Sequence, residues 1–194
     1  MTEVRALRGE AAAAALEDVA RLRIAVFRDF PYLYDGSLDY ERRYLAPYAA
    51  SDTALIVGAF DGARLVGAAT GAAMEDHASD FAEPLAEAGL APEAVFYCAE
   101  SVLLPAYRGR GLGHRFFDLR EAHARELGRP WSAFCAVIRP PDHPARPRDY
   151  RPLDAFWRKR GYEPVPGAVA RFSWQDLGAA AETEKPLQMW SRRL

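Results

Sequence analysis

Residues 100–128 read ESVLLPAYRGRGLGHRFFDLREAHARELG. An apolar run closes at Pro105, three glycines then alternate with arginines, and Leu112, Phe116, Leu119, Ala122 and His123 mark one face of a helix that ends at Gly128. This strand–loop–helix order aims the backbone N–H groups of residues 109–113 at one point, at the positive end of a helix dipole. Gly109, Gly111 and Gly113 carry no Cβ to hold a ligand away, and Arg108 and Arg110 supply charge that suits a diphosphate. A tight turn trimmed with solvated arginines is the other reading, and a short glycine pattern does not separate the two. A Walker-type loop is excluded, because no Gly-Lys-Ser/Thr follows. GRGLGH also lacks the closing small residue of a dinucleotide fingerprint, and no second mononucleotide half accompanies it.

Outward from this stretch, VFYCAESVLL and WSAFCAVI (131–138) read as strands on either side of the helix, hence as parallel neighbours joined by a crossover. Upstream, residues 10–28 repeat apolar side chains at helical spacing, with Leu16, Val19, Ala20, Leu22, Arg23, Val26 and Phe27 along one stripe. FPYLYDGS follows, then a short helix capped by Ser37 or Asp39. TALIVGAF (53–60), the Asp61-Gly62 turn and RLVGAATGAAM form a hairpin. Residues 78–90 are polar with helical character. Residues 139–152, with five prolines, form a loop; 153–162 form a short helix stopped by Gly161; 168–174 and 186–193 alternate as a closing antiparallel pair. The order predicts an α+β fold around one sheet, a single domain over residues 1–194.

Composition narrows the class. Half of the 194 residues are hydrophobic, enough for a core of ordinary size. A net charge of −2 leaves no global basic field for nucleic acid or anionic lipid, and no stretch has the length of a membrane span. Cys98 and Cys135 lie in apolar runs and read as buried, reduced thiols of a cytoplasmic protein; neither has an evident paired base that would make it an acyl-carrying nucleophile. The four histidines (77, 114, 123, 143) lack metal-ligand spacing, so no metal is expected. The abundance of Ala, Arg, Gly and Pro suggests a bacterial source.

Residues 100–128 resemble the acyl-CoA-binding motif of the GNAT N-acetyltransferase superfamily: a strand ending in Pro, then Arg-x-x-Gly-x-Gly opening a helix, here Arg108, Gly111 and Gly113. LDAFWRKRGY resembles the superfamily's second CoA-contacting segment, with Phe156, Trp157 and Arg160 at its aromatic and basic positions. The resemblance implies a mostly antiparallel twisted sheet, flanked by helices and splayed between 94–104 and 131–138 into a V-shaped slot. It further implies an acetyl-CoA-dependent N-acetyltransferase. The backbone of Val102, Leu103 and Leu104 would pair with the pantetheine arm, and the N–H groups from Arg108 through Gly109, Arg110, Gly111, Leu112 and Gly113 to His114 would bind the pyrophosphate.

Direct attack by an amine needs a base, because an alkyl ammonium loses its proton only near pH 10. Glu100 is the candidate: a carboxylate inside an apolar strand, where many superfamily members resemble this chain in having Glu. Its other reading is an ion pair, for example with an arginine of 139–151, and a bulge near Val102 would change the face it points to. The backbone N–H of Leu103 or Leu104 is the expected donor to the tetrahedral oxyanion. The acid departs from the pattern, since Trp157 stands where many relatives have tyrosine. Tyr150 and Tyr97 are the alternatives, and a thiol with pKa about 8.5 also leaves unaided. Phe30, Tyr32 and Tyr34 are expected beside the acceptor, a primary amine of a small molecule or peptide. Arg139, in the arginine-rich loop, is expected to clamp an acidic group of the acceptor or the CoA 3′-phosphate, or to be a solvated rim. Met189 and Trp190 of the last strand suggest a homodimer contact. A CoA-binding sensor without catalysis, and a nucleotide-phosphate protein of another fold, are the rival classes.

Overall fold

The structure, a computed structural model, describes residues 2–76 and 79–194. His77 and Ala78, the latter the first residue of the expected 78–90 excursion, lie outside the described residues. Twelve main elements follow in the order β1 Glu3–Leu7, α1 Glu10–Phe27, α2 Leu38–Ala50, β2 Leu55–Asp61, β3 Arg64–Ala73, α3 Ser79–Glu87, β4 Val95–Leu103, α4 Leu112–Glu126, β5 Trp131–Val137, α5 Asp154–Lys159, β6 Glu163–Gln175 and β7 Glu182–Arg193. The strands make one sheet in the order β1-β2-β3-β4-β5-β7-β6. Every neighbouring pair is antiparallel except β4 and β5, as the crossover through α4 requires. Among the described residues, no helix is long and apolar enough to cross a membrane.

The expected elements are present, with one omission. β1 is a five-residue edge strand whose charged residues hide its alternation; Val4 and Leu7 alone turn inward. β6 and β7 also begin before the alternating stretches that announce them. The helices divide between the two faces. α4 sets Leu112, Phe116 and Phe117 against Val57, Phe96, Cys98 and Phe134. On the opposite face α1 and α2 set Val19, Leu22, Leu45 and Tyr48 against Ile56, Ala68, Ala72 and Val102. Ser37 caps α2, its hydroxyl accepting from the Tyr40 N–H.

One expectation is corrected here. Met189 and Trp190 are not surface residues available to a second copy. β7 lies between β5 and β6, and its alternation buries Met189 and Trp190 in the core. Trp190 stacks on Phe134, ring planes 5° apart, and packs against Trp157.

Candidate active site

β4 and β5 pair at only three positions, Val95 with Trp131, Phe96 with Ser132 and Tyr97 with Ala133. Beyond Tyr97 the two strands part, and the second half of β4 has a free edge toward the gap. β3 pairs with β4 on its other side, with a break in register: Thr70 faces Glu100 and Ala72 faces Tyr97. Two steps along β3 thus span three along β4, so a bulge lies at Cys98–Ala99. The bulge resets the alternation. Before it, Tyr97 points to the face of α3, where its ring meets Phe81; after it, Glu100 and Val102 point to the same face, toward α1 and α2.

Arg120 staples this irregularity from the α4 side. Only 1% exposed, its guanidinium donates from Nη1 to the carbonyls of Thr70 (3.1 Å) and Glu100 (2.9 Å), and from Nη2 to Ser101 Oγ (2.8 Å). It is a buried cation held mainly by carbonyl dipoles at the point where the ladder is disrupted. Arg120 was not foreseen, although it sits on the stripe Leu112, Phe116, Arg120, Ala124. A charge at an apolar position of a helix is the signal that marks it.

The register also decides which backbone groups face the gap. Leu104 N–H donates to Val66 O at 3.0 Å, so Val102 and Leu104 direct their amides to β3. Alternation then turns the N–H of Ser101 and Leu103 to the free edge. This corrects the expectation for Leu104 as oxyanion donor and for Val102 and Leu104 as pantetheine partners, since their groups are already spent in the sheet. Leu103 keeps its N–H free, while its carbonyl accepts from Arg108 Nε (3.1 Å).

The loop after β4 has the geometry of an anion cradle. The N–H groups of Gly109, Arg110, Gly111, Leu112 and Gly113 make no hydrogen bond among the described residues, and they lie at the N-terminus of the 15-residue α4. Gly109 and Gly111 adopt left-handed backbone, φ 75° and 78°. Gly113 differs: its Cβ position lies 3.4 Å from the Phe156 ring, so it admits α5 beside α4. Arg110 leans over the Tyr107 ring, and Arg108 also lies 3.8 Å from Asp29.

The second segment is bound to α4 by packing and charge. Phe156 contacts the rings of His114 and Phe117, and Trp157 those of Phe134 and Trp190. Arg160 gives Nη2 to Asp118 (2.8 Å) and Glu121 (3.0 Å), and Nη1 to His114 O (3.3 Å). Its charge serves the α4–α5 junction, which corrects its assignment to the cofactor.

Glu100 is 7% exposed and does form an ion pair, but with Arg23 of α1 and not with the proline-rich loop. Arg23 Nη1 lies 2.5 Å from Glu100 Oε2, which also accepts from the Tyr44 hydroxyl (3.2 Å). Glu100 Oε1 has no partner among the described residues. Glu41 of α2 binds the Nε of the same arginine. Neither Arg23 nor Glu41 was assigned to the site from sequence, although Arg23 stands within the apolar stripe of α1.

The remaining candidates gather at the mouth of this face. Phe30 packs edge-on against Tyr150, 4.7 Å between ring centroids, and against His143; Arg146 covers Tyr150. The proline-rich loop is thereby docked on the segment between α1 and α2. Tyr32 packs on Phe27 and Trp174, and Tyr34 bridges to Asp176. Arg139 is neither a free clamp nor a solvated rim. It donates to both oxygens of Asp176 (2.9 and 3.0 Å) and to the carbonyls of Pro31 (2.8 Å) and Tyr32 (2.7 Å), which makes it a strut under that segment. Burial pushes the Cys135 thiol up to about 12, its Sγ 3.0 Å from the Tyr97 hydroxyl, and raises Cys98 as well. Both are held as thiols, unsuited to nucleophilic attack.

A parallel strand pair that opens after three residues, a loop of unpaired N–H groups and a buried carboxylate beside the gap lie together, an arrangement with room and donors for a phosphate-bearing ligand. Residues 14–162 match the acetyltransferase (GNAT) family, and the chain belongs to it. No curated protein sequence matches the chain. Among solved structures, it is similar to ribosomal-protein-alanine N-acetyltransferase from Brucella melitensis (13% identity, TM-score 0.62, 99% of each chain covered). It is similar also to yncA from Salmonella typhimurium, solved with its cofactor acetyl-CoA (11% identity, TM-score 0.62, 100% of this chain and 94% of that one). A GNAT family acetyltransferase from Brucella melitensis in complex with acetyl-CoA is a third (16% identity, TM-score 0.54, 84% and 83% covered). At these identities the likeness is one of fold, and the family match supplies the activity: the protein is an acyltransferase with acetyl-CoA as its donor.

Proposed function

We propose that the protein is an N-acetyltransferase acting by direct transfer to a primary amine of a small molecule or peptide, with Glu100 as the base. The observation that carries this reading is Glu100 itself, a buried carboxylate beside the gap with one oxygen held by Arg23 and Tyr44 and the other unpartnered. The residues fit the donor: the N–H groups of 109–113 suit its pyrophosphate, and the free edge of β4 at Ser101 and Leu103 suits its amide-bearing arm. Bound there, acetyl-CoA supplies the activated acetyl thioester. Glu100 Oε1 takes a proton from the acceptor ammonium, and Leu103 N–H is the unspent donor along the gap. Two carboxylates against one guanidinium give the Glu41–Arg23–Glu100 cluster a net negative charge, which favours an acceptor that arrives as a cation. Tyr150, whose hydroxyl makes no hydrogen bond among the described residues, is the proposed acid, assisting the departing thiolate. Phe30, Tyr32 and Tyr34 flank the acceptor. The two thiol cysteines support a reducing compartment, the cytoplasm.

A thiol-release screen with acetyl-CoA against amino acids, polyamines, aminoglycosides and peptide N-termini tests the reading. Turnover with an amine, lowered at least a hundredfold in Glu100→Gln at unchanged CoA affinity, is expected. Tight acetyl-CoA binding without turnover across the panel would overturn it in favour of a sensor.

A further inference from the structure

Three ionised side chains from three elements meet behind the gap, and two of them are carboxylates sharing one cation. Arg23 of α1 reaches Glu100 of β4 through Nη1 and Glu41 of α2 through Nε. Glu41 is wholly buried, and Arg23 and Glu100 are each 7% exposed. One oxygen of each carboxylate, Glu41 Oε1 and Glu100 Oε1, has no partner among the described residues. Had Arg23 only to neutralise Glu100, a second buried carboxylate would be a cost without a return. Glu41 instead competes for the same guanidinium, so Arg23 does not bind Glu100 with its whole charge.

We propose that Glu41 is a positioning residue that acts through Arg23 to set how readily Glu100 takes a proton from the acceptor amine. The proposal rests on the reading of Glu100 as the base. Arg23 holds Oε2 and leaves Oε1 toward the acceptor; Glu41, by drawing on Arg23, keeps that grip from making Glu100 too weak a base. In the step itself an ammonium N–H bond breaks, its electron pair stays on nitrogen, and the proton bonds to Oε1. The cluster passes from a net charge of −1 to neutrality.

The other groups around Glu100 do not set this balance. From α2, Tyr44 donates to Oε2 and Tyr48 stands beside it; Tyr32 comes from the segment after α1 and Cys135 from β5. Burial pushes all four up, so they are neutral at neutral pH. Arg120 of α4 is charged but bonds the Glu100 carbonyl, and β3 contributes Thr70. Arg23 and Glu41 remain as the groups that tune the carboxylate.

The test is the pH titration of Glu100 in CoA-free protein carrying 13C-carboxyl glutamate, read by NMR with the Glu100→Gln protein as assignment. The pH profile of kcat/KM is measured alongside. In Glu41→Gln, which keeps size and a hydrogen-bond acceptor for Arg23, both the titration and the acidic limb move about one unit to lower pH. In Arg23→Met both move about one unit to higher pH. A structural role alone has no reason to produce shifts of opposite sign. Arg23→Met leaves two buried carboxylates without a cation; should it not fold, Glu41→Gln decides alone. An unmoved or upward titration in Glu41→Gln overturns the role of Glu41 while leaving Glu100 as base. Turnover that survives in Glu100→Gln overturns the reading of Glu100 and this proposal with it.

Discussion

Gly111 caps α4 at φ 78° and ψ 0°, and a Cβ placed on it meets nothing within 4 Å. Glycine is required there by backbone conformation, because an L side chain in left-handed backbone costs about 1–2 kcal/mol. Gly113 is not in that region, and its Cβ direction points to Phe156 at ordinary contact distance. Gly111→Ala is therefore expected to weaken CoA binding about tenfold as the loop relaxes, and Gly113→Ala to leave it within about twofold, measured by calorimetry. Equal losses would show that the side-chain volume decides, and the conformational account would fail. A similar division separates the arginines. Arg108 and Arg110 stand at the loop as expected, whereas Arg23 and Arg120, each within an apolar helical stripe, are the ones that organise Glu100. A charge on an apolar stripe can be seen in the sequence, but its partner cannot.

At the level of elements, the segment between α1 and α2 is held by the Arg139–Asp176 pair. Burial alone would raise the Asp176 carboxyl, but Arg139, bonded to it, and Lys185 hold it below its ordinary value. A carboxyl lowered in the folded state contributes stability above its unfolded pKa of about 3.9, and that contribution is lost as pH falls through the folded value. Asp176→Asn should thus cost about 2 kcal/mol at neutral pH, in urea unfolding. The gap to the wild type should stay level down to about pH 5 and close below about pH 4. A gap independent of pH would deny the ion pair that role. Much of this level was legible. Helix periodicity and the Pro and Gly stops located α1, α2, α4 and α5, apolar runs bounded by turn signals located β2 to β5, and alternation located the core of β6 and β7. β1 was missed because an edge strand with two charged positions in five residues has little alternation to show. Arg139 and Arg160 were assigned to ligands because a basic run shows its charge and not the carboxylates, from the turn just after β6 and from α4, that take it up.

Over the whole molecule, β4 and β5 pair at three positions and then part, and the proposed donor site lies in that gap. A donor bound there and on the loop stabilises only the folded state. At a hundredfold excess over Kd, linkage gives about 2.7 kcal/mol. For a chain of this length the melting temperature should rise by about 5–10 °C with CoA, and much less with ATP or NAD at equal concentration. No preference for CoA would contradict the assignment of the gap and loop. The sequence by itself determined the strand, glycine loop and helix of residues 95–128, the parallel crossover and the family resemblance, because these are set by residues close along the chain. Only the tertiary structure decided that a bulge at Cys98–Ala99 puts Glu100 on the face of α1 and α2, that Leu103 rather than Leu104 keeps a free amide, and that Arg23 is the partner of Glu100. The physical reason is that strand parity turns on a single inserted residue, and a buried charge is matched by whatever distant element packs against it.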